Sequence, residues 1–392
     1  MAVTKSPGVY VFEVPSANAP IAGVGTSTPL FIGAVPDTIT MPPVATPPNQ
    51  ATVSAPVGKP VLVTNLTEFK DAFGDFSLDA GQSTLAHAVN GYYANGGTRC
   101  YVMRLLPSFT PTDLEDALAA TEAITEISLV AAPGLTGDSY YDAIIGHCAV
   151  QTQSRFAILD TTATAGDDLT KLDYATAGHI LPDKSDYAAL YFPWIQVFDP
   201  ATKGSVYVPP SGHMAGLYAR VDANRGVHKA PANEVVFGAT GLKTRISKNQ
   251  QDGLNLQGVN CIRSLNGNIR VWGARTLGGD DNLEFKYLSA RRLFILLRES
   301  IERGLQWAVF EPNNADLWAK ITRSVSAFLR NVWSSGALFG ASPEEAFFVK
   351  CNAETNPPSV RDAGQVVTEI GVALTKPAEF VIFKLGMKAD ES

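Results

Sequence analysis

The chain has 392 residues, 45% of them apolar and 18% charged, enough to build a sizeable core as one large or two ordinary domains. A formal net charge of −7, with no run of Lys or Arg, disfavours a nucleic-acid surface. The longest strictly apolar run of the most hydrophobic predicted helix, residues 293–297, falls far short of the roughly 20 residues that span a bilayer.

Residues 1–27 read as an arm set off by Pro7, Pro15, Pro20 and Pro29, which prevent continuous helix. Within it, alternation puts Tyr10, Phe12 and Val14 on one face of a strand and Val9 and Val11 on the other, so both faces are apolar. The opening lacks the layout of a secretory signal, because Glu13 and Pro15 interrupt its apolar stretch; synthesis is expected to finish in the cytoplasm. The Pro-rich, charge-poor stretch 36–60 predicts a surface loop. Helical spacing follows over 67–73 and 84–93, then a strand over 99–105, a helix over 112–121 and a strand over 127–132. A helix over 140–151 and strands over 156–160 and 191–198 continue the alternation, which predicts an α/β layer over about 98–210.

Beyond it, two long helices are predicted over 283–307 and 316–334, with Asp280 or Asp281 capping the first. Glu344 and Glu345 after Ser342-Pro343 read as a helix start rather than as a carboxylate pair. The tail returns to strand over 347–351 and 366–373. It closes on Phe380, Val381, Ile382, Phe383 and Leu385, again apolar on both faces. Such strands either complete the chain's own sheet or pair with another chain, and the second case makes a polymer subunit.

Catalytic constellations are weak. Gly238-Ala239-Thr240-Gly241-Leu242-Lys243-Thr244 hints at a phosphate loop, but Leu242 stands where that motif needs Lys. His87, His147, His179, His213 and His228 are isolated, without metal-ligand spacing, and read as surface or packing residues. Cys100, Cys148, Cys261 and Cys351 lie far apart among apolar neighbours and read as free buried thiols. No enzyme activity, cofactor or metal is expected.

Four blocks in order resemble the contractile tail sheath protein family. The first is Pro7-Gly8-Val9-Tyr10-Val11-Phe12-Glu13-Val14-Pro15 with Pro20-Ile21-Ala22-Gly23-Val24-Gly25-Thr26-Ser27. The second runs Gly212-His213-Met214-Ala215-Gly216-Leu217-Tyr218-Ala219-Arg220 through Asp222 and Arg225-Gly226. The third joins Gly258-Val259-Asn260-Cys261-Ile262-Arg263 to Val271-Trp272-Gly273-Ala274-Arg275-Thr276, and the fourth runs from Gly336 to Pro377-Ala378-Glu379-Phe380-Val381-Ile382. Residues 35–205 match less clearly.

The resemblance implies an arm over 1–27, a mixed α/β core over 28–375 with its C-terminal sheath region over 211–375, and a second arm over 376–392. Both arms would be exchanged between subunits as β-strands. It implies hexameric rings stacked around an inner tube, with baseplate and terminal cap proteins and a possible sister sheath protein as partners. A metastable extended sheath would contract to drive the tube through a target membrane. The particle would be a phage tail, a phage-tail-like bacteriocin or an extracellular injection system, the short chain favouring the compact types.

Gly8, Gly23, Gly25 and Pro377 are the expected arm hinges and guides. On the helix over 316–334, Leu317, Ile321, Val325, Phe328 and Val332 share one face, while Lys320, Arg323, Arg330 and Ser334 share the opposite one. That basic face is either solvated or, by the resemblance, the attachment to the tube. A soluble α/β enzyme and a non-contractile tube or baseplate protein are the alternatives.

Overall fold

The structure, a computed structural model, describes residues 20–43 and 49–380. The strand residues Val9, Tyr10, Val11, Phe12, Val14, Val381, Ile382, Phe383 and Leu385, and the hinge Gly8, lie outside the described residues. Described residues 24–297 and 374–380 form one unit, and 20–23 with 298–373 form another.

The larger unit begins with β1 (Pro29–Ala34), β2 (Thr38–Thr40), β3 (Gln50–Thr52), β4 (Val61–Val63), α1 (Leu66–Phe73) and α2 (Ala80–Ala94). It continues through β5 (Cys100–Leu105), α3 (Pro111–Ala119), β6 (Leu129–Ala131), α4 (Asp138–Gly146), β7 (Phe156–Asp160), β8 (Ala188–Phe192), β9 (Ile195–Asp199) and β10 (Gly204–Val208). Next come α5 (Ser211–Arg225), β11 (Ala239–Leu242), α6 (Lys248–Leu256), β12 (Val259–Leu265), β13 (Asn268–Val271) and the start of α7 (Leu288–Gly304).

Eight strands make one sheet in the order β13-β12-β8-β7-β6-β1-β5-β4, parallel from β12 to β5 and closed at each side by an antiparallel strand. The central strands β6, β7 and β8 are buried at every residue, because side chains cover both faces. Alternation divides them: Phe31 of β1 joins Tyr92, Met214 and Tyr218 in one core, while Leu30 and Ile32 join Leu114, Ile144 and Leu254 in the other. Local chemistry starts the helices. Thr110 and Asp113 form a capping box at α3, with Pro111 in the first turn, and Ser247 and Gln250 form another at α6.

The structure corrects several expectations. The strand over 191–198 is two strands in different sheets: β8 ends at Phe192, Pro193 has no N–H to continue the ladder, and β9 pairs with β10 and β11. The stretch 36–60 is more than a loop, since β2 and β3 pair there and Ile39, Val53 and Ala55 are core residues. The helix expected from 283 begins at Leu288, and neither Asp280 nor Asp281 caps it. Asp280 instead meets Lys286 at 2.5 Å in the turn ahead of the helix, and Leu283 is exposed. The Gly-rich segment at 238–244 contains strand β11, paired with β9, as a segment without the phosphate-loop Lys can be.

The smaller unit contains the last turns of α7, then α8 (Ala315–Ser334), α9 (Pro343–Ala346), β14 (Phe347–Lys350), α10 (Pro358–Asp362) and β15 (Glu369–Val372). Its only sheet among the described residues is the antiparallel pair of β14 and β15.

Candidate functional site

Helix α8 is capped by Asn314, whose side chain accepts from Leu317 N, and carries Asp316 in its first turn. Leu317, Trp318, Ile321, Val325, Phe328 and Leu329 are buried, whereas Val332, expected among them, lies in the last turn of the helix and is half-exposed. Lys320, Arg323 and Arg330 are all exposed, and none of them lies within 4 Å of a carboxylate oxygen among the described residues; Ser334 beside them is exposed too. The helix thus offers a three-cation face opposite its buried stripe.

The sheet of β14 and β15 has only two strands among the described residues, so each strand has one edge free of ladder partners there. Phe348 is more than half exposed and lies over Gly371, where a Cβ would come within 2.1 Å of its ring. An open strand edge leaves backbone N–H and C=O groups with which a further strand can pair.

The arm roots are held by polar contacts. Ile21 is buried against the end of α7: a Cβ on Gly304 would come 2.6 Å from Ile21 Cγ1. Gly23 is the last arm residue of the smaller unit and Val24 the first of the larger. At Gly25 a Cβ would meet nothing within 4 Å, and its φ is outside the left-handed region, so this backbone shape does not require glycine. Thr26 donates through Oγ1 to Asp222 Oδ2 at 2.6 Å, and its carbonyl accepts from Arg292 at 2.9 Å. At the other end Pro377 is half-buried and Phe380 is exposed, while between them Glu379 binds Arg275, Asn255 and Tyr287. Sequence reasoning quoted Thr26, Asp222, Arg275 and Glu379 inside the four blocks without giving them roles. Their signal was there as motif, but the pairing needed the fold.

His87, His147 and His213 are buried, and His87 Nε2 lies 3.3 Å from Asp199 Oδ1. The four cysteines are buried and free, and burial pushes the Cys100, Cys148 and Cys261 thiols up to about 12, far from a nucleophilic thiolate. Asp160, at the end of β7, accepts from Ser211 N and Oγ at 2.8 and 2.6 Å and so secures the start of α5.

Residues 109–277 match the family described as phage tail sheath protein central domain, and residues 280–388 match the phage tail sheath C-terminal domain. The tail sheath protein of Burkholderia phage BcepMu is 28% identical over 208 residues, which cover 51% of this chain and 42% of that protein. The chain spans about 60% or less of the length of the curated relatives it matches. Among solved structures, the contracted helical sheath of the anti-feeding prophage is 28% identical with a TM-score of 0.76, covering 98% of this chain and 100% of that one. The sheath complex of PVC, an extracellular contractile injection system, in its contracted state is also 28% identical, with a TM-score of 0.75 and full coverage of both chains. Two sheath domains matched in order, on a fold shared along its whole length with sheath subunits, show that the chain belongs to the phage tail sheath protein family.

Proposed function

We propose that this chain is the sheath subunit of a contractile injection apparatus, polymerising as stacked hexameric rings around an inner tube and shortening to drive that tube through a target membrane. The observation that carries the reading is the full-length likeness to sheath subunits in contracted particles. In this reading the work comes from two packings of one subunit rather than from a catalysed reaction, so the chain acts without cofactor or metal. A few kcal/mol per subunit becomes large when many subunits switch together. The particle is released from the cell or forms part of a phage tail, with baseplate and cap proteins at its ends.

The two-stranded sheet of β14 and β15 supports strand exchange, because its open edges are complementary to the two-sided apolar arms. The exposed cations Lys320, Arg323 and Arg330 support attachment of α8 to an acidic tube surface. Negative-stain microscopy of the purified chain with and without tube protein tests the reading. Cylinders of two lengths and diameters are expected; rigid polymers in one state only, or no polymers, would overturn it. Deleting residues 1–14 or 380–392 tests exchange: a folded chain that no longer forms cylinders is expected, and normal cylinders from either deletion reject it.

A further inference from the structure

Each arm root meets a buried arginine–carboxylate pair: at the C-terminal root the carboxylate, Glu379, belongs to the arm, and at the N-terminal root the arm's Thr26 bonds both Asp222 of α5 and Arg292 of α7. At the C-terminal root, Arg275 donates through Nε to Glu379 Oε1 and through Nη2 to Glu379 Oε2, both at 2.9 Å, a two-pronged pair. Asn255 Nδ2 adds a bond to Oε1 at 2.7 Å, and the Tyr287 hydroxyl adds one to Oε2 at 2.9 Å. Arg275 is itself fixed, since its side chain is 3% exposed and its main chain exchanges two bonds with the Asn260 side chain. At the N-terminal root, Arg292 donates to Asp222 Oδ1 at 3.1 Å and Oδ2 at 2.5 Å, and also to the Thr26 carbonyl. Its guanidinium lies 4.6 Å from the centre of the Tyr218 ring.

Burial pushes the Glu379 carboxyl up, but the bonds from Arg275, Asn255 and Tyr287 and the Arg275 charge outweigh it, so the group stays below the usual carboxylate range. The contact is therefore intact at neutral pH. It ties the chain down at Glu379, immediately before the closing apolar residues, so Pro377 lies within the held segment and the expected hinge moves from Pro377 to beyond Glu379.

We propose that Glu379 and Asp222, each gripped by its arginine, are positioning residues for the arms: Glu379 sets where the C-terminal arm leaves, so that it swings from Phe380, and Asp222 fixes Thr26 at the root from which the N-terminal arm runs on to Ile21. This rests on the arm-exchange reading above. The physical gain is aim: Lys376 Nζ bonds the Leu283 carbonyl at 2.9 Å, so releasing Glu379 would add the three residues 377–379 to the free segment, roughly 10 Å of extra reach, and dilute the closing strand around its receptor edge.

Single removal would strand a buried charge, so the test replaces both partners: Arg275→Met with Glu379→Ala, and in parallel Arg292→Met with Asp222→Leu. Amide hydrogen exchange on the unassembled chain and microscopy of cylinders are read together, beside the 380–392 deletion. The first pair should leave the global unfolding transition in place, speed exchange at 378 and 379 at least tenfold, and reduce ordered cylinders at least tenfold. The second pair should do the same over 24–27. Unchanged exchange at those segments overturns the proposal, as do normal cylinders from the paired variants when the 380–392 deletion makes none. Normal cylinders from the deletion would instead reject arm exchange, while the exchange rates still decide whether the clamps hold.

Discussion

Gly216 of α5 lies so close to α2 that a Cβ on it would sit 2.3 Å from the carbonyl oxygen of Tyr92. One turn earlier, a Cβ on Gly212 would fall 2.4 Å from the Ala88 Cα, and from the facing side a Cβ on Gly91 would strike the His213 ring. Glycine normally weakens a helix by about 1 kcal/mol relative to alanine. Here that preference loses to sterics, since a backbone carbonyl inside the core cannot step aside. Gly216→Ala should therefore destabilise the chain by more than about 2 kcal/mol in urea denaturation, while Gly25→Ala, in open space, should change stability by less than about 0.5 kcal/mol.

Ile21 and Gly304 make a second contact that only a missing side chain permits. Gly304→Ala should expel Ile21 from its site and destabilise by about 1 to 3 kcal/mol. Ile21→Ala in the same chain should recover part of that loss. A double-mutant cycle measures the coupling, and strictly additive effects would show that the two residues do not press on each other.

Two buried groups give stability a pH dependence of opposite sign. Burial pushes the His213 imidazole down to about 3, with the His87 ring adding to the shift, so the unfolded chain takes a proton near pH 6.5 that the folded one refuses. Its contribution is full above about pH 6.5 and falls by up to about 1.4 kcal/mol per unit on acidification. Burial pushes the Asp160 carboxyl up to about 7 against the bonds from Ser211 and Gly134, so its contribution is full below about pH 4 and is lost as pH rises toward 7. Relative to the parent, His213→Leu should fare better at pH 5 than at 7.5, and Asp160→Asn better at pH 8 than at 5. Denaturation curves at those values check both, and a difference independent of pH would reject each assignment.

Attachment through the basic face of α8, as proposed above, would separate folding from assembly. Because Lys320, Arg323 and Arg330 are exposed, changing all three to Glu should move unfolding by less than about 0.5 kcal/mol per residue. Extended particles around the tube should become scarce or contract early, with the parent's own tube attachment weakening in high salt, while empty contracted cylinders still form. Stable extended particles from the triple variant at low and high salt would assign this face to solvent.

Period and punctuation in the sequence determined the local elements. Short apolar runs alternating with helical stretches marked the α/β layer, the 100° spacing of Leu317, Ile321, Val325 and Phe328 placed the buried stripe of α8, and Pro343 marked a helical turn. These signals are legible because they depend on neighbours within a few residues. Helix α5 escaped for the same reason: its Gly212, Gly216 and buried polar His213 lack a clear apolar stripe, and its helical state rests on close packing against α2. The split at Pro193 into strands of separate sheets was likewise decided by tertiary pairing, which no local pattern encodes. The arm clamps show the limit most clearly. Arg275 and Glu379 stood in plain view in two quoted blocks, but they are 104 residues apart, and only the folded sheet and helices bring a guanidinium and a carboxylate of that separation into one buried pair.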